Sequence, residues 1–237
     1  MLDRTVPWRV YSASKANKKR MRAALESLLR ARKLDVTLTT AAPWSDIPVD
    51  RLAPTGCADL DAALSGGLRR GHLSEITGAW SSGRSTIAAQ MLGAATARGE
   101  AVAFIDACDT FDPPSADAHG VSLARLLWVR DAGDPARALK AFSLILQAGG
   151  FGLVVLDLAD VPVAAIRRFP WTTWMRIARI IEGSDTAALV IGSERIARSP
   201  RGVTIALESS PAQWSGRGSR ARLFRGVAPA PRVVSAR

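Results

Sequence analysis

The chain has 237 residues, 48% of them apolar and 22% charged, with 32 Lys and Arg against 21 Asp and Glu for a net charge of +11. That length suits one large α/β domain with appended ends; no apolar run reaches the roughly 18 residues of a membrane span, and the stretch 1–20 lacks an apolar signal core, so neither membrane insertion nor export is expected. Cys57 and Cys108 lack the spacing of a metal site or a disulfide framework, and a reducing cytoplasm is the expected compartment.

The charge sits at the ends. Residues 14–33 carry +7 and residues 194–237 carry +7, whereas the remainder sums to −3. Basic ends on a near-neutral core point to a polyanion or an acidic protein as partner; the plain alternative is a solvated, solubilising surface.

In chain order, residues 14–33 are expected to form a helix with Met21, Leu25, Leu28 and Leu29 on one stripe. Lys15, Lys18, Lys19 and Arg20 crowd its first turns, where cations oppose the helix dipole. Local stability does not explain them, and a partner-binding role for Lys18, Lys19, Arg20, Met21, Arg22, Leu25, Leu28 and Leu29 does. Residues 34–40 alternate apolar and polar and carry β-branched side chains, as an exposed strand would. Helix and strand together make a basic N-terminal arm over 1–45. It either docks by edge pairing on a neighbouring subunit or folds back on its own core. A proline-containing linker follows over 42–54.

The most informative stretch is 78–86, Gly-Ala-Trp-Ser-Ser-Gly-Arg-Ser-Thr, between a strand expected over 72–77 and a helix expected over 85–97. It has the spacing of a phosphate-binding loop, in which backbone N–H groups at a helix N-terminus cradle phosphates. Gly78, Ser82, Gly83, Arg84, Ser85 and Thr86 are its candidate nucleotide-binding residues. Arginine occupies the position that such a loop reserves for lysine. A forked guanidinium can grip a phosphate without placing a compact charge on the transferred group. A Gly/Ser-rich strand-to-helix turn is the competing reading of the loop, and two later apolar runs ending in acids, 101–106 and 153–157, argue against it. The second has the form of the strand whose terminal carboxylate, here Asp157, stands by the loop hydroxyl, here Ser85, to hold Mg²⁺.

Strands over 126–130, 151–158 and 187–193 alternate with helices over 135–148 and 172–183, the pattern of a mostly parallel sheet flanked by helices. Strands over 203–208 and 222–227, joined by a polar turn, are expected to form a terminal antiparallel pair, and 228–237 a flexible tail. Arg195, Arg198, Arg201, Arg217, Arg220, Arg222 and Arg225 could converge on one face with Trp214 to bind DNA, or be solvated arginines around a loop-tip tryptophan. Trp171 and Trp174, one turn apart, are expected to pack in the core or at an interface, and His72 and His119 are too isolated for metal or triad chemistry.

Thr55-Gly56, Leu60-Asp61, Gly66-Gly67-Leu68, Gly71 and Glu75-Ile76 lead into the loop, and Phe104 to Ala107, Asp112-Pro113 and the run 153–157 follow it. In these residues the chain resembles the RecA recombinase family over roughly 55–160. The resemblance implies an α/β phosphate-loop core over 46–227; no cofactor is certain, and ATP with Mg²⁺, self-association and DNA binding stay open as possibilities. It also places Cys108 where that family has a water-positioning glutamate, and Ser115 where an aromatic packs on adenine. Ser193 or Glu194 stands where the family has a γ-phosphate-sensing glutamine, and 194–202 is too short for the long DNA-binding loop that follows it.

With its basic arm and short C-terminal end, the chain is most similar to the ImuA type, RecA-like accessory proteins of bacterial mutagenesis cassettes. That resemblance implies a non-catalytic role in SOS-induced translesion synthesis, through RecA and a Y-family polymerase-like partner of the ImuB type. It further implies possible DNA binding and a cytoplasmic, nucleoid-associated location. The alternatives are a divergent DNA-dependent ATPase or recombinase, and a cell-division inhibitor of the SulA type.

Overall fold

The computed structural model describes residues 49–131, 133–197, 202–208, 212–218, 220–227 and 229–236. The expected arm over 14–40, with every partner-binding residue assigned to it, lies outside the described residues, as do Arg198 and Arg201.

A short antiparallel pair, β1 (Leu52–Ala53) with β2 (Leu68–Arg69), brackets helix α1 (Ala58–Ala63). The chain then winds through β3 (Leu73–Gly78), α2 (Arg84–Ala97), β4 (Val102–Asp106), α3 (Pro113–Ala118), β5 (Leu126–Arg130), α4 (Pro135–Ala148), β6 (Leu153–Asp157), α5 (Val163–Ile166), α6 (Trp171–Ile181) and β7 (Ala187–Gly192). It ends with β8 (Val203–Glu208), β9 (Ala212–Ser215), β10 (Leu223–Val227) and β11 (Ala230–Ala236). Seven strands form one sheet in the order β11-β8-β3-β7-β6-β4-β5. All its pairings are parallel except that of β11 with β8.

Burial explains why these segments are strands. Every residue of β4 and β7 is buried, as is Leu153 to Leu156 of β6. Continuous apolar runs of this kind suit parallel strands covered on both faces. At the outer edge β5 is half-exposed, with Leu127 at the surface. Helix α4 starts where Asp134 accepts hydrogen bonds from the N–H groups of Ala136 at 2.9 Å and Arg137 at 3.3 Å, with Pro135 in the first helical position. Its Leu139, Phe142 and Leu146 pack with Trp174, Ile177 and Ile181 of α6 against Ile105, Leu156 and Val190 of the sheet.

The C-terminal end departs from expectation twice. Strands 203–208 and 222–227 do not pair with each other: β8 enters the main sheet beside β3, with Ile76 opposite Ile205, while β10 pairs with β9 in a separate hairpin. The segment expected to be a loose tail supplies β11, with Ala230 opposite Glu208 and Ala236 opposite Val203. The physical reason is edge satisfaction: β8 would otherwise present a row of unpaired backbone groups.

Candidate nucleotide site

The site lies at the carboxyl edge of the sheet. β3 ends at Gly78, the chain turns through 79–83, and α2 begins at Arg84. Gly83 is the N-cap of α2 with φ +90°, and Ser81 is left-handed at +59°. Both values bend the loop back so that the first amides of α2 gather at its mouth. At Gly78 an added Cβ would collide with the Ser82 hydroxyl and stand 2.8 Å from the Leu207 carbonyl oxygen, so no side chain fits. Trp80, 75% exposed, projects from the loop tip.

Inside the loop two polar side chains are buried with unsatisfied atoms. Ser82 is 1% and Arg84 7% exposed, and the Ser82 hydroxyl oxygen and the Arg84 Nη1 have no hydrogen-bond partner. Leaving such a group unpaired costs about 1–3 kcal/mol, more when it is charged. An anionic ligand seated in the loop would satisfy both.

Asp157 ends β6 directly opposite Asp106 on β4. Burial first, then the neighbouring charges of Asp106 and Asp160, push its carboxyl from 3.8 up to about 6, against the opposing pull of the Ala159 N–H and of Arg84. The Ala159 N–H donates to it at 2.9 Å. Asp106, wholly buried, accepts from the N–H groups of Thr110 at 3.0 Å and Phe111 at 2.8 Å and so shapes the turn after β4. In the sequence this acid is only the end of a strand; the free amides of the turn that follows make it the anchor of that turn.

Ser85, Thr86 and Asp157 share a cavity of about 290 Å³ with Phe104, Phe111 and Ser115. The structure thus brings together the loop hydroxyls and the acid that spacing alone had suggested. Ser115 lines it with a hydroxyl that donates to Asp112 at 2.5 Å and brings no aromatic face. The aromatic wall comes instead from Phe111, 4.7 Å from the Phe104 ring and 5.3 Å from Trp128 by ring centroids. Cys108 packs against the core. Its thiol is raised by burial and by the carboxylates of Asp160, Asp157, Asp106 and Asp131, which keeps it protonated and unsuited to activate water. Glu194, just beyond β7, is held by Arg167 through two bonds of 2.9 and 2.8 Å. Glu75 on β3 has no role that its sequence position reveals. It is 3% exposed and accepts from the N–H groups of Ile196 and Ala197 at 2.8 Å each and from the Thr204 hydroxyl at 2.7 Å.

Of the expected DNA-binding group, Arg217, Arg220, Arg222, Arg225 and Trp214 all lie on the exposed β9–β10 hairpin and its turn. Arg222 lies 5.1 Å from the Trp214 ring, whose centroid is 5.5 Å from Phe224, and Arg225 donates to Ser215 at 2.7 Å. Arg195 is apart from them, 3.5 Å from Glu75. The hairpin connects the carboxyl end of β8 to the start of β11, so it stands at the same edge of the sheet as the phosphate loop. Trp174 packs in the core, whereas Trp171 is 55% exposed. Among the described residues no helix is long and apolar enough to cross a membrane, and none of their His, Cys, Asp and Glu residues cluster in threes to hold a metal ion.

Comparison with known proteins converges on one group. The model of the RecA N-terminal domain matches residues 38–168. Protein RecA of Thermus thermophilus is 31% identical over 192 residues, covering 73% of this chain and 56% of that protein. Protein RecA of Fusobacterium nucleatum subsp. nucleatum is 41% identical over 117 residues, 48% of this chain and 30% of the relative. The chain thus spans between about a third and about half of the length of these relatives. Among solved structures the RadB recombinase superposes with a TM-score of 0.51 at 19% identity, over 66% of this chain and 83% of that one, which is a likeness of fold.

Proposed function

This chain belongs to the RecA family, and on that premise we propose that it is a non-catalytic RecA-like accessory protein of DNA-damage-induced translesion synthesis. In this reading it works by binding RecA, a Y-family polymerase-like protein of the ImuB type, or both, with DNA as a further candidate partner and a cytoplasmic, nucleoid-associated location. The observation that carries it is Arg84: a buried guanidinium with an unpaired N–H in the position of the phosphate-loop lysine. Such a group favours holding a phosphate over transferring one.

The residues present fit ATP with Mg²⁺. The α2 amides, the Ser82 hydroxyl and the Arg84 guanidinium would hold phosphate oxygens, Ser85 and Asp157 would face the metal ion, and Phe111 would offer a wall to the base. Bound there, the phosphates would supply the acceptor oxygens that the two orphaned groups lack, and the metal ion would offset part of the phosphate charge. The residues that would have to orient a water are poorly equipped. Cys108 is a protonated thiol and Glu194 is neutralised by Arg167, and losing a water-positioning or basic group costs about 10² to 10⁴ in rate.

The test is binding of the full chain, and of a chain lacking residues 1–45, to RecA free and as a filament on single-stranded DNA, and to the polymerase-like partner. Binding that depends on the arm supports a RecA-directed adaptor. Absence of binding to either protein overturns the accessory role. A second reading, a divergent DNA-dependent ATPase, is favoured by one observation: Ser85, Thr86 and Asp157 remain grouped around a cavity as a working site needs them.

A further inference from the structure

The phosphate loop is touched by a segment far from it in sequence. A Cβ added to Gly83 would stand 2.6 Å from the Cγ and 2.9 Å from the Cβ of Pro229, so the proline ring is seated against the one residue whose left-handed φ of +90° shapes the N-cap of α2. Pro229 immediately precedes β11, which is fixed to β8 from Ala230 onward, and β8 is fixed to β3, the strand that enters the loop. On its other side the chain leads back to β10 of the arginine hairpin, which among the described residues pairs only with β9. The contact therefore lies between a fixed ladder and a projecting element.

Its chemistry is that of a latch. Proline has no N–H to donate, and its described contact with Gly83 is packing of the ring carbons. Next to it the Ser82 hydroxyl oxygen and Arg84 Nη1 are buried without partners, so the conformation held by Pro229 is one in which these donors serve no acceptor. Gly83 has the backbone freedom to let the loop widen and admit an anion to these buried groups, and the proline ring limits that freedom.

We propose that Pro229 is a latch on the phosphate loop, and that its contact with Gly83 holds the loop in a form of reduced affinity for a polyphosphate. The inference rests on the reading of 78–86 as a phosphate site.

The experiment is calorimetric titration of the full chain with inorganic tripolyphosphate and Mg²⁺, comparing wild type with Pro229→Gly and the milder Pro229→Ala. Amide exchange is followed at 82–86 and in β3 and β7. Both variants are expected to bind about three- to ten-fold more tightly, because apparent affinity rises with the fraction of competent form. Exchange should quicken at 82–86 while β3 and β7 stay protected. Equal or weaker binding by variants that keep β3 and β7 protected overturns the latch and leaves the phosphate site standing. If none of the three proteins binds the probe, latch and phosphate site fall together.

Discussion

Arg84 sits 7% exposed inside the phosphate loop, behind a glycine on which a proline rests. Arg217, Arg220, Arg222 and Arg225 stand exposed on a two-stranded hairpin at the same edge of the sheet. The first arrangement strips a charge of water and leaves one of its N–H groups without an acceptor, a state that folding alone does not favour. The second leaves four charges in water at little cost and without acids among them over 212–227. The difference teaches where ligand chemistry is to be sought. A buried arginine of this kind suits one anion at short range, and exposed ones suit the field of a polyanion that salt can screen.

The largest expected effect concerns what anchors the loop side of that comparison. Glu75→Ala leaves two backbone N–H groups and the Thr204 hydroxyl without their acceptor, and is expected to cost about 3–5 kcal/mol in denaturant unfolding. A cost below that of an ordinary surface substitution would mean that β3 and the segment after β7 are not tied together. Arg84→Ala comes next. It should lower affinity for Mg²⁺-tripolyphosphate about 10- to 100-fold, the worth of charge-assisted hydrogen bonds, while ligand-free stability holds or rises. A fall in ligand-free stability with unchanged affinity would give Arg84 a structural role and erase the contrast with the hairpin.

Asp157 sharpens the electrostatics of the buried side. Its carboxyl is raised from 3.8 to about 6, chiefly by burial, so the folded protein binds a proton that the unfolded chain releases between those values. The contribution to stability is complete below about pH 4 and is lost as pH rises through about 6. Asp157→Asn should therefore be more stable than wild type at pH 7, by about 2–3 kcal/mol at most, with the advantage gone at pH 3.5. The smallest effect belongs to the hairpin. Replacing Arg217, Arg220, Arg222 and Arg225 together by Ala should change stability by no more than about 0.5 kcal/mol per site. The same variant should flatten the salt dependence of single-stranded DNA binding, by about 0.7 in log–log slope for each phosphate that is no longer neutralised. A large loss of stability would mean that these side chains hold the fold.

The parallel half of the molecule was legible in the sequence because its signals are local. The runs 102–105, 153–156 and 187–192 are continuously apolar, Asp134-Pro135 announces a helix start, and Gly83 permits the left-handed φ that the strand-to-helix turn requires. The C-terminal ladder was not legible. Segments 203–208 and 222–227 read as two strands without naming their partners, and 230–236 carries a proline and little periodicity, so nothing in it announces an edge strand of the main sheet. The candidate site divides likewise. The grouping of Ser85, Thr86 and Asp157 follows from spacing, whereas Phe111 as the cavity wall, Glu75 as the tie beneath the loop and Pro229 on Gly83 are contacts of tertiary structure.

The most direct test of the central claim is to measure binding of ATP and its turnover on the same sample of full-length protein, with and without single-stranded DNA, alongside Arg84→Lys combined with Cys108→Glu. The account predicts ATP binding without measurable turnover by the wild type under both conditions, any activity appearing only in the double variant. Wild-type turnover at the rate of an ordinary ATPase, abolished by Asp157→Ala, would contradict it.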